Sequence, residues 1–322
     1  MPQNTPIYKV PFTKIPFTYE EHIKLLKDRG LTITDENRAM RYLREINYFR
    51  ISAYFATFQE VKDTFNANTN FSDILDIYLF DRKLRLLVFD AIERIEVALR
   101  SQIIYQLSHK YGAHWQDNAN IFKGAYTDHR NGRRKDIYQG IQDSIKTSMQ
   151  ANHPEIFIKH YSEKYLSPEN PPSWMCIELL SIGELSRLYM ALKSNADRKD
   201  ISLFFNLHHK VFTNWLHTLV YVRNLCAHHS RLWNREFSIK PIILLNSAKP
   251  WIDPIFNENK HRTFYFLSII KYLLIAVNPN NHFKQKFLEI IDRYPSVPIQ
   301  FLGIPTNSDG EMIDWKNEPV WK

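Results

Sequence analysis

Residues 220–235 read VYVRNLCAHHSRLWNR, and their side chains can bind anions and exchange protons. At about 100° per residue on a helical wheel, residues 215–235 separate into two stripes. Trp215, Leu219, Val222, Cys226, His229 and Trp233 share one; His217, Tyr221, Asn224, His228, Arg231 and Arg235 share the nearly opposite one. The second stripe holds two imidazoles, a phenol, a carboxamide and two guanidiniums with no carboxylate, a surface that suits an anion. Arg, His, Asn and Tyr bond phosphates and bases in fixed geometry, whereas an idle solvated face usually carries Lys and Glu. A plain solvated basic face is the ordinary alternative. His229 falls on the apolar stripe and reads as a packed residue with one hydrogen-bond partner; His228 is the more available of the two.

The elements that position these residues read as helices. Glycine is scarce, at 8 in 322, and the prolines gather at 2–16, 154–172, 241–254 and 279–305, which punctuates the chain. Over 76–111, Ile77, Phe80, Leu84, Leu87, Ala91 and Ile95 recur at helical intervals and predict one long helix. YEEHIKLLKDRG predicts a short helix closed by Gly30, and Thr34 and Asp35 are N-cap candidates for one or two more. Further helices are expected near 136–151, over SWMCIELLSIGELSRLYMALKS, over 209–236, and in HRTFYFLSIIKYLLIAV and FKQKFLEIIDRY. The Pro-rich tail from 295 reads as loop or a short edge element. The fold class is all-α with at most a short strand near the C-terminus. Three regions are expected: 1–70 packing on the core, 71–240 as the core with the motif, and 241–322 as C-terminal helices and tail.

Composition narrows the function classes. With 44% hydrophobic and 14% aromatic residues the chain folds, and a formal charge of +8 leans towards a polyanion such as nucleic acid. Two cysteines, Cys176 and Cys226, lack CxxC or CxxH neighbours, so neither a disulfide framework nor a zinc knuckle is indicated, and a cytoplasmic protein is expected. The N-terminus has no secretory pattern, and no stretch reaches the roughly 18 apolar residues of a membrane helix. No GxGxxG or GKS/T loop points to a nucleotide cofactor.

Arg223-Asn224-Leu225-Cys226-Ala227-His228 resembles the RNxxxH form of the HEPN nuclease motif. INYFRISAYF at 46–55, LFDRKLRLLVFDAIERIEVALRSQI at 79–103, PPSWMCIELLSIGELSRLY at 171–189 and RNLCAHHSRLWNR at 223–235 together resemble the bacterial Abi-like proteins of the AbiD and AbiF group, associated with abortive infection against phage. The resemblance covers roughly residues 10–275. It implies a HEPN helical bundle with added N- and C-terminal helices, acting as a metal-independent endoribonuclease and as a dimer with two motifs in one cleft. Arg223 and His228 would be the catalytic pair and Asn224 their polar support. Some such proteins are encoded beside small structured RNAs, so a noncoding RNA partner is implied as well. On a straight helix Arg223 and His228 stand about 140° apart, so a kink or a second copy must close the site. A catalytically idle RNA-binding scaffold and a protein-contact phage sensor are the rival readings.

Other polar clusters have two readings each. Glu96 and Arg100 form an i, i+4 pair that is either an intrahelical ion pair or, beside the motif helix, a device orienting His228 or Arg223. Tyr221 and His229 are supporting candidates. His217, Arg231 and Arg235, with Arg130, Arg133, Arg134 and Lys135 of the basic loop, are candidate RNA contacts; a solvated loop is the alternative. His208-His209 lacks HxxxH or HExxH spacing and reads as a helix-start cluster, not a metal site. Tyr48, Phe49 and Arg50 read as core by spacing, with Asn47 the polar group to watch. Trp174, Glu178 and Gly183 read as helix packing, Gly183 permitting a close crossing.

Overall fold

The computed structural model describes residues 11–127, 132–245, 247 and 249–322. It is all-α, apart from one two-stranded sheet and a few isolated bridges among the described residues. The chain divides at 79/80, within a helix, into two compact units, Met1–Leu79 and Phe80–Lys322.

In the first unit α1 (Tyr19–Asp28) opens on a capping box: Thr18 accepts from the Glu21 amide, and the Glu21 carboxylate accepts from the Thr18 amide. It closes with the Gly30 amide on the Lys27 carbonyl and the Leu31 amide on the Leu26 carbonyl, with Gly30 at φ +89°. This is a Schellman turn, and glycine fills its left-handed position. Asp35 caps α2 (Glu36–Ile46) through the Arg38 amide. Asn47, at φ +76°, ends α2 and caps α3 (Tyr48–Ser52) through the Phe49 amide. Asn tolerates that backbone better than most side chains. Phe49 is 85% exposed and Arg50 is also exposed, which corrects their reading as core; α3 is too short to bury a full face.

The unit boundary lies in α4 (Phe71–Tyr111), 41 residues and about 60 Å long. Ile77, Phe80, Leu84, Leu87, Ala91 and Ile95 are all buried along it, as their spacing predicts. In the second unit follow α5 (Ile137–Met149), α6 (Ile156–Lys164), α7 (Ser173–Cys176), α8 (Ile182–Ala191), α9 (Asn195–Phe204), α10 (His209–Ala227), α11 (Thr263–Val277) and α12 (Phe283–Arg293). The single helix expected over 173–194 is broken, because Ser181 starts α8 with its own capping box to Glu184. The sheet pairs β1 (Tyr126–Thr127) with β2 (Arg134–Lys135), antiparallel, with Tyr126 opposite Lys135. Extended pairing near the C-terminus is limited to one isolated bridge, Thr306 with Met312, and the two-stranded hairpin at 126–135 was not anticipated.

Every residue from Thr263 to Leu274 of α11 is buried. Against it lies the tail, read from sequence as loop: Trp315, Val320 and Trp321 are buried in 3-10 turns. The Trp321 ring stacks on Phe264 at 5.5 Å and its indole N–H donates to Ser268 Oγ at 2.9 Å. The tail is core because its tryptophans cover an otherwise apolar helix.

Candidate nucleic-acid site at the end of the motif helix

α10 starts from His208, whose ring accepts from the Lys210 amide at 3.3 Å, so the His208-His209 pair is a helix start. Phe212, Trp215, Leu219, Val222 and Cys226 bury one face, and burial pushes the Cys226 thiol up to about 12, leaving it inert near neutral pH. His217, Asn224 and His228 are exposed on the other side, and no Asp or Glu occurs between His209 and Ala227.

The helix does not continue to residue 235. It ends at Ala227 with His228 as its cap: the His228 amide reaches Asn224 O at 3.0 Å, the His229 amide Cys226 O at 3.0 Å, and the Ser230 amide Leu225 O at 2.8 Å. The last two bonds form the same Schellman turn that ends α1, but here His229 stands at φ +55° where glycine is usual. The wheel therefore fails beyond His228, and His229 is exposed, correcting its assignment to the packed stripe.

Past the turn the chain is fastened by a buried charge. The Asp81 carboxylate of α4, fully buried, accepts from the Leu232 and Trp233 amides at 3.0 and 2.7 Å and ion-pairs with buried Arg85. Those two amides are thereby drawn away from any helical continuation. Thr263 Oγ1 donates to the Leu232 carbonyl at 2.6 Å, and Arg262 bonds the Asn234 side chain at 2.7 Å. The motif turn is thus held by both α4 and α11.

Arg223 is partly buried, its guanidinium 5.6 Å above the Phe89 ring of α4, with a long contact of 3.4 Å to Asn224 Oδ1. Tyr221 is also partly buried. Burial raises its pKa, but hydrogen bonds from Ser238 and Arg235, with the charge of Arg235, outweigh that and hold the phenol below its usual value. Arg235 in turn donates to the Arg231 carbonyl at 3.3 Å. Tyr221, Arg231 and Arg235 accordingly form one group beside the turn.

Glu96 and Arg100 pair at 2.9 Å, and Arg100 donates to the carbonyls of Ile177 and Leu180 at 3.3 and 2.8 Å. They form the intrahelical ion pair and brace the bend between α7 and α8. At Gly183 a Cβ would meet Val220 at 3.7 Å, an ordinary contact, so the crossing of α8 and α10 does not demand glycine. Trp174 is 48% exposed, which removes it from the packing role expected of it, while Glu178, though exposed, reaches Arg100 of α4 at 3.7 Å and so joins the packing of this block. Arg133, Arg134 and Lys135 are exposed in and beside β2, while Arg130 lies outside the described residues. Among the described residues, no three His, Cys, Asp or Glu side chains gather as metal ligands, and no helix is long and apolar enough to cross a membrane.

Sequence reading missed Asp81, Arg85 and Phe89. A signal existed for Asp81: it shares the helical stripe of Ile77, Leu84 and Val88, all buried, where a carboxylate needs a partner.

The chain is thus an all-α protein with an Arg-Asn-His turn, free of carboxylates, at the end of α10. The family model for Abi-like proteins matches residues 41–234, more than half of the chain, and the chain belongs to that family. Membership supports a role in abortive infection, a form of phage defence. The chain matches no curated protein and no solved structure.

Proposed function

We propose that the chain is a metal-independent endoribonuclease of HEPN type that cleaves RNA during abortive infection, with Arg223, Asn224 and His228 at the reacting phosphate. The observation that carries this reading is the end of α10, where exposed His228 and Asn224 lie beside Arg223 at a turn pinned by Asp81. A positioned imidazole can take the 2′-hydroxyl proton as that oxygen attacks phosphorus, and a second can protonate the departing 5′-oxygen. A guanidinium stabilises the charge on the phosphorane.

One copy offers a single His228, and Arg223 turns towards Phe89 about 140° away around the helix. Two copies would supply both imidazoles. Leu86, Phe89 and Val97, between 38 and 55% exposed, stand on the outer face of α4 beside Arg223 with exposed Asp90 and Glu93 between them, and this mixed face is the seat we assign to the second copy. The exposed basic hairpin and a cognate small RNA fit the same reading.

Product chemistry tests it. Cleavage in EDTA should leave 2′,3′-cyclic phosphate and 5′-hydroxyl ends, and an all-deoxy strand should be inert because it lacks the nucleophile. Strict dependence on a divalent ion, or 5′-phosphate ends, would contradict it.

A further inference from the structure

A groove of about 530 Å³ opens between α8 and α10, lined by exposed Arg187, Lys210 and His217, by part-buried Gly183 and Val220, and by Met190, which is 38% exposed. In its wall, Asn214 Oδ1 accepts from the Ile242 amide at 2.7 Å, which fixes the carboxamide, and Ser186 adds a hydroxyl. At the end of α8, Lys123 Nζ and Arg198 Nη1 both donate to the Met190 carbonyl, at 2.6 and 3.4 Å. The cations there work against one another: burial and then the charge of Arg198 depress Lys123, and burial with the charges of His208, Arg198, Lys210 and Lys123 depresses His209. The carboxylate beside the groove, Glu184, is engaged in the capping box of α8 and stands 4.0 Å from Arg187.

We propose that this groove seats an unpaired nucleotide of the RNA, its base against the apolar side chains of Val220 and Met190 and its phosphates between Arg187, Lys210 and His217. Cations around apolar side chains match single-stranded nucleic acid, in which the base is free to turn into the protein. His217 and His228 share a face of α10 about 16 Å apart, so the strand runs along that face from the groove to the turn. The direction of the strand rests on the nuclease reading; the groove as an RNA site does not.

The experiment uses the full-length His228→Ala protein as a non-cleaving background, with a labelled single-stranded oligoribonucleotide and its duplex at several salt concentrations. The single strand should bind more tightly than the duplex. Arg187→Ala with Lys210→Ala should weaken single-strand binding about tenfold and flatten the slope of log affinity against log salt by roughly 1.4. Ser186→Phe, which fills the groove, should weaken it comparably; if that variant melts early, the Arg187 and Lys210 double variant decides. Unchanged single-strand affinity in that double variant, or no preference over duplex, would overturn the proposal while leaving the nuclease reading intact. RNA bound through the groove by a wild type that cleaves nothing would end the nuclease reading and keep the groove. No RNA binding by the wild type would end both.

Discussion

His229 occupies at the end of α10 the position that Gly30 fills at the end of α1, with φ of +55° against +89°. Both turns carry the same pair of backbone bonds, but a Cβ in left-handed backbone costs about 1 kcal/mol where glycine costs nothing. His229→Gly should therefore raise the melting temperature, by an amount equivalent to roughly 0.5–1 kcal/mol, and His229→Val should lower stability by about 1–2 kcal/mol. A His229→Gly protein less stable than wild type would show that the imidazole's own contacts outweigh the strain. This position also marks where sequence reading stopped working. Asn224 and His228 were legible on one polar face because α10 is regular up to Ala227, whereas Arg223, off that face, was legible only through the RNxxxH resemblance. The stop was not, since the chain there lacks the glycine or proline that normally announces one.

At the scale of elements, α4 was legible over most of its length, because its buried residues keep a helical period without interruption. Asp81 was passed over as one more charge among many, although its stripe is buried. The break before α8 was also readable: Ser181-Ile182-Gly183-Glu184 is a capping-box sequence. Asp81 is the link between α4 and the motif turn, through two backbone amides and Arg85. Asp81→Ala should leave Arg85 buried without its counter-charge and cost about 3–5 kcal/mol, read as a lower urea midpoint with an unchanged slope. A loss below about 1 kcal/mol would mean that the turn is held by α11 instead.

For the whole molecule, the all-α class followed from helical spacing and the near absence of alternating runs. The role of the tail did not. Its prolines and short segments read as loop, while the burial of Trp315 and Trp321 depends on α11 being buried on every side from Thr263 to Leu274. Trp321→Ala should remove the Phe264 stack and the Ser268 bond together and cost about 3–5 kcal/mol; a melting temperature within a degree of wild type would contradict the tail's place in the core. The central claim is that Arg223 and His228 cut RNA without metal, from two copies acting on one phosphate. The measurement that tests it most directly is RNA cleavage in EDTA by the wild type, Arg223→Ala, His228→Ala and an equimolar mixture of the two variants. The account predicts cleavage by the wild type, a loss of about a hundredfold or more in each variant, and no recovery in the mixture, whose mixed dimer carries one imidazole where the reaction uses two. Wild-type rates in either variant would contradict it.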